Sequence, residues 1–333
     1  MRFYILFLIS SLTFTQYSFS QEPNFEELSE RLKTDVFSVG LLLQSEAVFS
    51  FQDDDFNGGR AFDLGATRLD LRGAVDNGFT YRLQLEFRKQ VSVFDAQVGY
   101  QFNENLQVVT GAFKPFLSRD LDPGPGDTDL INRARQVGTM MNSREIGVTL
   151  LGETGSFLYR VGVYNGSGLT RDNDGRFLYI TRFAYQANLD DGVFEIGSNL
   201  GLNQTRDINV GNSGLSSTGD RLLYGGYVDY RGSRFFATAE FLQTQFDALE
   251  FANETETITG FYATLGSHLN EKNEILVRLD YLSYDLGNTD TQVITLGWNH
   301  QATSLISFQV NALTLIGGDD AQYGVSGVMQ FQF

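Results

Sequence analysis

Few side chains in this chain are suited to catalysis. The sequence holds two histidines, His268 and His300, and no cysteine, so thiolate nucleophiles and cysteine-based metal sites are excluded. No Gly-x-Ser-x-Gly nucleophile elbow occurs. Both histidines fall near the ends of predicted strands, where rim positions explain them. A hydrolase is therefore the less favoured alternative, and no cofactor is predicted.

One acidic segment matches the opening of a calcium-binding loop. Asp53, Asp55 and Asn57 stand at alternate positions before Gly58, but the twelfth position is Leu64, where such loops need a bidentate glutamate. A solvated acidic loop explains the segment better. We therefore predict no metal site.

The remaining chemistry lies in the charged residues. The chain has 24 Lys and Arg against 41 Asp and Glu, a formal charge of −17, and its basic residues are scattered among acids. Proteins that bind nucleic acids need a basic patch or stripe. A nucleic-acid partner is therefore excluded.

These charges follow a period of two. Between Arg68 and Arg88 the odd-numbered residues are mostly apolar and the even-numbered ones mostly charged, with the turn Asp76-Asn77-Gly78 in the middle. With Gly78 in the left-handed position, this turn pairs Arg72 with Arg82 and Arg68 with Glu86 on a polar face. Asp70 and Glu86 offset the arginines. The other charged residues predicted on polar faces are Arg160, Arg182, Arg231, Arg278, Asp95, Glu195, Asp229, Glu240 and Asp280.

The same alternation predicts about sixteen strands. The predicted strands cover residues 36–51, 64–75, 79–90, 92–102, 105–114, 144–152, 156–166, 177–189, 192–205, 221–231, 233–247, 256–269, 273–285, 291–301, 304–316 and 321–333. Tight turns alternate with longer loops, as in a transmembrane antiparallel β-barrel with short turns at one rim. A soluble β-sandwich is the alternative, but sixteen strands would normally split into two domains, and no Pro/Ser-rich linker occurs.

Both ends of the chain carry signals of export. Residues 1–20 combine Arg2, an apolar stretch and small residues before Gln21, which predicts a cleaved signal peptide rather than a membrane anchor. Residues 21–35 predict a short periplasmic segment before the barrel of residues 36–333. The last strand ends on Phe333 and resembles the signal that the outer-membrane assembly machinery reads. These features predict the outer membrane of a Gram-negative bacterium, with outer-membrane lipid as a partner.

The segment from residue 64 to residue 152 resembles the phosphate-selective porin family. The resemblance lies in Arg68-Leu-Asp-Leu-Arg-Gly73, Tyr81-Arg-Leu-Gln-Leu-Glu-Phe87, Thr110-Gly-Ala-Phe-Lys-Pro-Phe116 and Arg144-Glu-Ile-Gly-Val-Thr-Leu-Leu-Gly152. It implies a sixteen-stranded, usually trimeric channel whose third long loop folds inward and selects anions with basic residues. The matching segment, residues 115–143, is called the long loop below.

The resemblance implies a set of basic residues along the ion path. They are Arg68, Arg72, Arg82, Arg88, Lys114, Arg119, Arg133, Arg135 and Arg144. The opposing acids are Asp70, Glu86, Asp120, Asp122, Asp127 and Asp129. Arginine and lysine select anions by replacing their hydration with charge-assisted hydrogen bonds. Because the long loop holds four acids against three arginines, two further interpretations stay open: the loop arginines pair with the loop acids and pin the loop, or the pore is weakly selective.

The sequence therefore predicts a porin for small hydrophilic solutes and ions, with anions preferred. A non-conducting adhesive or structural barrel is the alternative. The predicted outward loops are modest in size and lack repeats or aromatic clusters, which disfavours adhesion.

Overall fold

A computed structural model describes residues 32–34, 36–52, 56–171, 175–317 and 321–333. It contains sixteen strands in one closed antiparallel barrel, in which each strand pairs with its neighbours along the chain and β1 pairs with β16. The first eight strands are β1 Ser38–Ser50, β2 Arg60–Val75, β3 Phe79–Glu86, β4 Ser92–Asn103, β5 Leu106–Phe113, β6 Glu145–Thr154, β7 Phe157–Tyr164 and β8 Leu178–Leu189. The others are β9 Gly192–Asn209, β10 Ser216–Gly232, β11 Phe235–Ala248, β12 Glu254–Asn270, β13 Asn273–Tyr284, β14 Thr289–Gln301, β15 Ile306–Ile316 and β16 Gln322–Gln332.

The predicted strands and the register of the first hairpin are confirmed. Arg72 pairs with Arg82, Arg68 with Glu86, and Val75 with Phe79. The turn between β2 and β3 needs left-handed backbone at Asn77 (φ 65°) and Gly78 (φ 84°), which asparagine and glycine adopt most readily. The period of two therefore sends alternate side chains to opposite faces of the wall.

The outer face of the barrel is apolar, with aromatic side chains near the rim of short turns. Phe183 and Leu296 are 57% and 59% exposed on this face. Phe79 packs on Tyr100 with ring centroids 4.9 Å apart, at the short-turn end of β3 and β4. An apolar band with aromatic girdles is the surface that a lipid bilayer requires of a barrel. Separately, no helix among the described residues has the length and apolar character to cross a membrane.

The long loop connects β5 to β6 and contains a one-and-a-half-turn helix, α1, at Arg135–Met140, which the sequence did not indicate. Its apolar side chains pack against the inward faces of the barrel wall. Val137 and Met140 belong to a buried cluster with Leu223, Leu242 and Ile258. The loop and the wall therefore form a dry core that fills part of the lumen.

A glycine allows this close approach. A Cβ at Gly260 on β12 would lie 2.5 Å from the Cβ of Gln136 on α1, which is shorter than two side chains tolerate. The wall is thus shaped to receive the helix, and the long loop is a packed element of the fold.

Candidate pore and constriction

The pore is built from inward-facing side chains of β1 to β5 and of β13 to β16, and from the surface of the long loop. Three cavities line this path. The outer chamber, about 790 Å³, reaches Leu169 and Asn212 at the rim of long loops. The inner chamber, about 500 Å³, reaches Gly40 and Phe333 near the rim of short turns. A side chamber of about 520 Å³ lies between β1 and β4.

The outer and inner chambers meet at four residues, which we call the waist: Arg68, Lys114, Pro125 and Arg144. Arg68 also lines the side chamber. Any solute that passes between the two main chambers passes these side chains. The waist lies between β2 on one side and the long loop on the other.

Polar contacts from β1, β8, β10, β11 and β13 to β16 hold the long loop in place. On one side, Gln44 and Gln330 donate hydrogen bonds to the carbonyl oxygens of Pro125 and Gly126, at 3.1 and 3.0 Å. On the other side, Glu240 of β11 accepts hydrogen bonds from the Ser118 hydroxyl at 2.6 Å and the Arg119 backbone N–H at 2.8 Å. The loop thus spans the lumen from β1 to β11.

Ion pairs between the loop and the wall run in both directions. Loop acids pair with wall arginines: Asp120 with Arg278 at 3.1 Å, Asp122 with Arg182 at 2.5 Å and Asp129 with Arg231 at 2.8 Å. Loop arginines pair with wall acids: Arg119 with Asp229 at 3.0 Å and Arg135 with Asp280 at 3.0 Å. The acids that pin the loop arginines thus lie mainly on the wall. Within the loop, Arg119 comes no closer than 3.8 Å to Asp122.

The arginines of β2 and β3 are largely paired. Arg68 contacts Glu86 at 2.9 Å, and Arg82 contacts Asp70 at 2.9 Å and Asp95 at 3.2 Å. Arg144 contacts the same Asp95 at 2.5 Å. These ion pairs hold the guanidinium groups of Arg68, Arg82 and Arg144 in fixed positions at the lumen.

Three basic side chains along the path have no carboxylate partner among the described residues. They are Arg133 in the outer chamber, Lys114 at the waist and Arg72 in the inner chamber. The Lys114 ammonium donates to the backbone carbonyls of Leu121, Asp122 and Pro123, at 2.9, 2.9 and 2.7 Å. The Arg133 guanidinium donates to the carbonyls of Asp120 and Pro123. Carbonyl oxygens orient these two groups without neutralising them.

Lys114 lies just after the end of β5, at the start of the long loop. Its burial, together with the positive charges of Arg133 and Arg144, lowers the pKa of Lys114 to about 7. The ammonium is therefore lost as the pH rises through this value. Lys114 is therefore a charge of the waist that depends on pH.

The structure places the other predicted residues away from the waist. Arg88 lies beyond the end of β3, is 42% exposed, and pairs with Asp63 at 3.2 Å on the rim of long loops. Asp127 accepts a hydrogen bond from Gln332 at 3.1 Å, beside the inner chamber. Asp53 and Asp55, of the weak calcium-loop match, lie outside the described residues.

Some residues of the site were missing from the predicted set. The sequence placed five of these residues on polar strand faces but did not indicate that they contact the long loop or the waist. They are Asp95, Arg182, Glu240, Arg278 and Asp280. Phe94 gave no signal, because alternation with Asp95 assigns it to the outer face. In the structure it lines both the outer and the side chamber.

A model of the family described as phosphate-selective porin O and P matches residues 37–322 of the chain. No curated protein sequence gives a significant match. Among solved structures, the chain is similar to an anion-selective porin from Comamonas acidovorans, with 15% identity, a TM-score of 0.67, and 89% of this chain and 99% of that chain covered.

Two further solved structures have the same fold. OprB of Pseudomonas putida shares 10% identity, with a TM-score of 0.70 over 93% of this chain and 97% of that chain. A trimer form of OmpT from Vibrio cholerae, folded in vitro, shares 12% identity, with a TM-score of 0.62 over 90% of this chain and 100% of that chain. At these identities the structural likeness concerns the barrel architecture.

Proposed function

Since this chain belongs to the phosphate-selective porin O and P family, and is thus a porin of the Gram-negative outer membrane, we propose that its pore prefers anions. The solutes are small, hydrophilic and cross by diffusion. The observation that carries the proposal is the series Arg133, Lys114 and Arg72, one for each level of the path, none of which has a carboxylate partner among the described residues.

The charges around the chambers support this preference. The outer chamber is lined by six basic side chains and one acid: Arg68, Lys114, Arg133, Arg135, Arg144 and Arg278 against Asp280. The inner chamber is closer to balance, with five basic side chains and four acids. Because the field of lining charges sets which ions enter a pore, selection occurs in the outer chamber and at the waist. The overall charge of −17 does not describe the path.

The assembly that we propose is a homotrimer. The support is the family and the trimer form recorded for the OmpT of Vibrio cholerae, whose barrel is similar. A trimer is expected to show three conductance steps for each insertion event in a planar bilayer. In gel electrophoresis it is expected to run as a heat-sensitive band of three times the monomer mass.

We also propose that the protein is not an enzyme. His268 pairs with Glu274 at 2.9 Å, and His300 bonds Asn273 at 2.9 Å and stacks on Trp298. Both histidines lie at the rim of short turns, away from the waist. Their contacts and their position at the rim support a structural role for both histidines.

The remaining proposals concern the two ends of the chain. Residues 1–20 are proposed as a cleaved signal peptide, residues 21–35 as a periplasmic segment, and the strand that ends at Phe333 as the signal for the assembly machinery. In the structure, the Phe333 backbone exchanges hydrogen bonds with Leu41 of β1, so this strand also closes the barrel.

Ion substitution in planar lipid bilayers tests the proposed function. The purified protein is expected to give step-like, ohmic currents in potassium chloride. Replacing chloride with the larger gluconate is expected to lower the conductance more than replacing potassium with the larger Tris cation, because chloride carries most of the current. A greater loss with Tris would contradict an anion preference, and an absence of steps would contradict a channel.

A further inference from the structure

One residue of the pore wall departs from the alternation of its strand. In the pairing of β3 with β4, Gln84 stands opposite Asp95 and Leu85 stands opposite Val93. Phe94 is therefore the extra residue of a β-bulge. Bulges re-aim side chains and are frequent near functional sites. Here the bulge turns both Phe94 and the buried Asp95 to the inside, while Val93 stays on the outer face with 46% exposure.

Phe94 lies beside two guanidinium groups near the waist. The guanidinium carbons of Arg68 and Arg144 lie 4.7 and 5.2 Å from the centre of the ring, within the range of cation–π attraction. The face of an aromatic ring does not attract an inorganic anion, because it carries negative charge, and the ring donates no hydrogen bond. A pore that passes only phosphate needs hydrogen-bond donors along its path. At Phe94 the bulge places an apolar surface there instead.

The outer chamber continues this apolar surface. Across the chamber from Phe94, the long loop contributes Leu130, Val137 and Met141, and the wall contributes Val293 and Leu313. A volume of about 790 Å³ falls within the range of sites that bind small organic molecules. The chamber thus joins an apolar lining to six basic side chains.

We propose that the outer chamber binds organic anions with an apolar body, such as small aromatic carboxylates, before they cross the waist. The carboxylate lies among Arg68, Lys114 and Arg133, and the apolar body lies against Phe94 and the opposite chamber wall. This proposal rests on the proposed function, since it requires a pore that passes anions. It names organic anions, rather than inorganic phosphate, as the preferred solutes.

The apolar body sets the order of affinities. Acetate, benzoate and dihydrogen phosphate all carry about one negative charge at pH 6, so electrostatic attraction alone would make them similar. A benzene ring that leaves water for an apolar wall adds about tenfold or more in affinity. Benzoate is therefore expected to occupy the chamber at the lowest concentration.

The test is block of the chloride current in planar bilayers at pH 6. Benzoate, acetate and phosphate are each titrated on the side of the long loops, and the concentration that halves the current is recorded. In the wild type, benzoate is expected to block at about one tenth of the acetate concentration or less. Phosphate is expected to resemble acetate.

Two variants locate the site. Phe94→Ala is expected to raise the half-blocking concentration of benzoate about fivefold or more and to leave that of phosphate unchanged. Because Phe94→Ala also removes a neighbour of two arginines, Val293→Thr provides an isosteric change on the opposite wall that touches neither of them. It is expected to weaken benzoate block about twofold or threefold, since it buries a hydroxyl against the apolar body.

The outcomes separate this inference from the proposed function. A cation-selective wild type would overturn both. An anion-selective channel in which phosphate blocks at a lower concentration than benzoate, or in which acetate and benzoate block equally, would overturn the organic-anion inference alone. If Phe94→Ala weakened phosphate block and benzoate block equally, Phe94 would serve only to position the arginines. That result would also overturn the organic-anion inference.

Discussion

Replacement of both Lys114 and Arg133 by glutamine is expected to lower the ratio of chloride to potassium permeability about tenfold or more at pH 6. Neither side chain has a carboxylate partner among the described residues, so each acts on a passing ion with its full charge. A unit charge about 5 Å from an ion contributes roughly 1–3 kcal/mol, depending on how much water lies between them. Two such charges therefore dominate the selectivity.

Glutamine is the appropriate replacement because its amide still donates hydrogen bonds to the loop carbonyls that Lys114 and Arg133 hold. A matched control is the double variant Lys272→Gln and Arg234→Gln. It removes two positive charges at the rim of short turns and leaves the waist intact. Its permeability ratio is expected to stay within about twofold of the wild type, because exposed charges are screened over about 10 Å.

The titration of Lys114 gives this prediction a second readout. Because the pKa of Lys114 is lowered to about 7, its ammonium is present at pH 6 and largely lost at pH 8. Chloride selectivity of the wild type is therefore expected to fall over this interval, and that of Lys114→Gln to fall less. Unchanged selectivity in the double glutamine variant would show that the ions bypass the waist.

Glu240→Ala is expected to release the long loop from β11 and to give a larger, noisier conductance. The Glu240 carboxylate is 1% exposed and accepts hydrogen bonds from the Ser118 hydroxyl, the Arg119 N–H and the Gln136 amide, the last at 3.1 Å. Removal of this acceptor leaves three buried donors unsatisfied, at a cost of about 3–5 kcal/mol in loop docking. The ladder of sixteen strands stays closed, so the barrel itself persists.

Three measurements check this second prediction: single-channel conductance, open-channel noise, and trypsin cleavage after Arg119, Arg133 or Arg135. Conductance and noise are expected to rise, and the three sites are expected to become accessible. Glu240→Gln keeps one carbonyl acceptor and is expected to show the same changes to a smaller degree. Wild-type conductance, noise and protease resistance in Glu240→Ala would mean that the other ion pairs hold the loop by themselves.

Local rules in the sequence determine the barrel and its register. The alternation from Arg68 to Arg88 depends only on neighbours along the chain, and so does the turn at Asn77 and Gly78. The strand positions and the pairing of Arg72 with Arg82 follow from these two local features. The position of the long loop also follows, since no alternating segment interrupts residues 115–143.

The interior of the pore depends on contacts that the sequence order does not encode locally. Asp120 pairs with Arg278, 158 residues away along the chain. The polar strand faces carry several arginines that could equally have been its partner, so the sequence does not single out this one. The bulge at Phe94 is one extra residue within an otherwise regular strand, and it reverses which face the aromatic ring occupies. Helix α1 is too short for a helical period to emerge, and packing against Gly260 stabilises it.

We infer that cations without a carboxylate partner among the described residues make this porin prefer anions, although the chain as a whole is acidic. The most direct test is the zero-current potential of the wild-type channel across a potassium chloride gradient at pH 6. A potential of the sign set by chloride, with chloride several times more permeant than potassium, is the predicted result. A potential of the opposite sign, set by potassium, would contradict an anion preference.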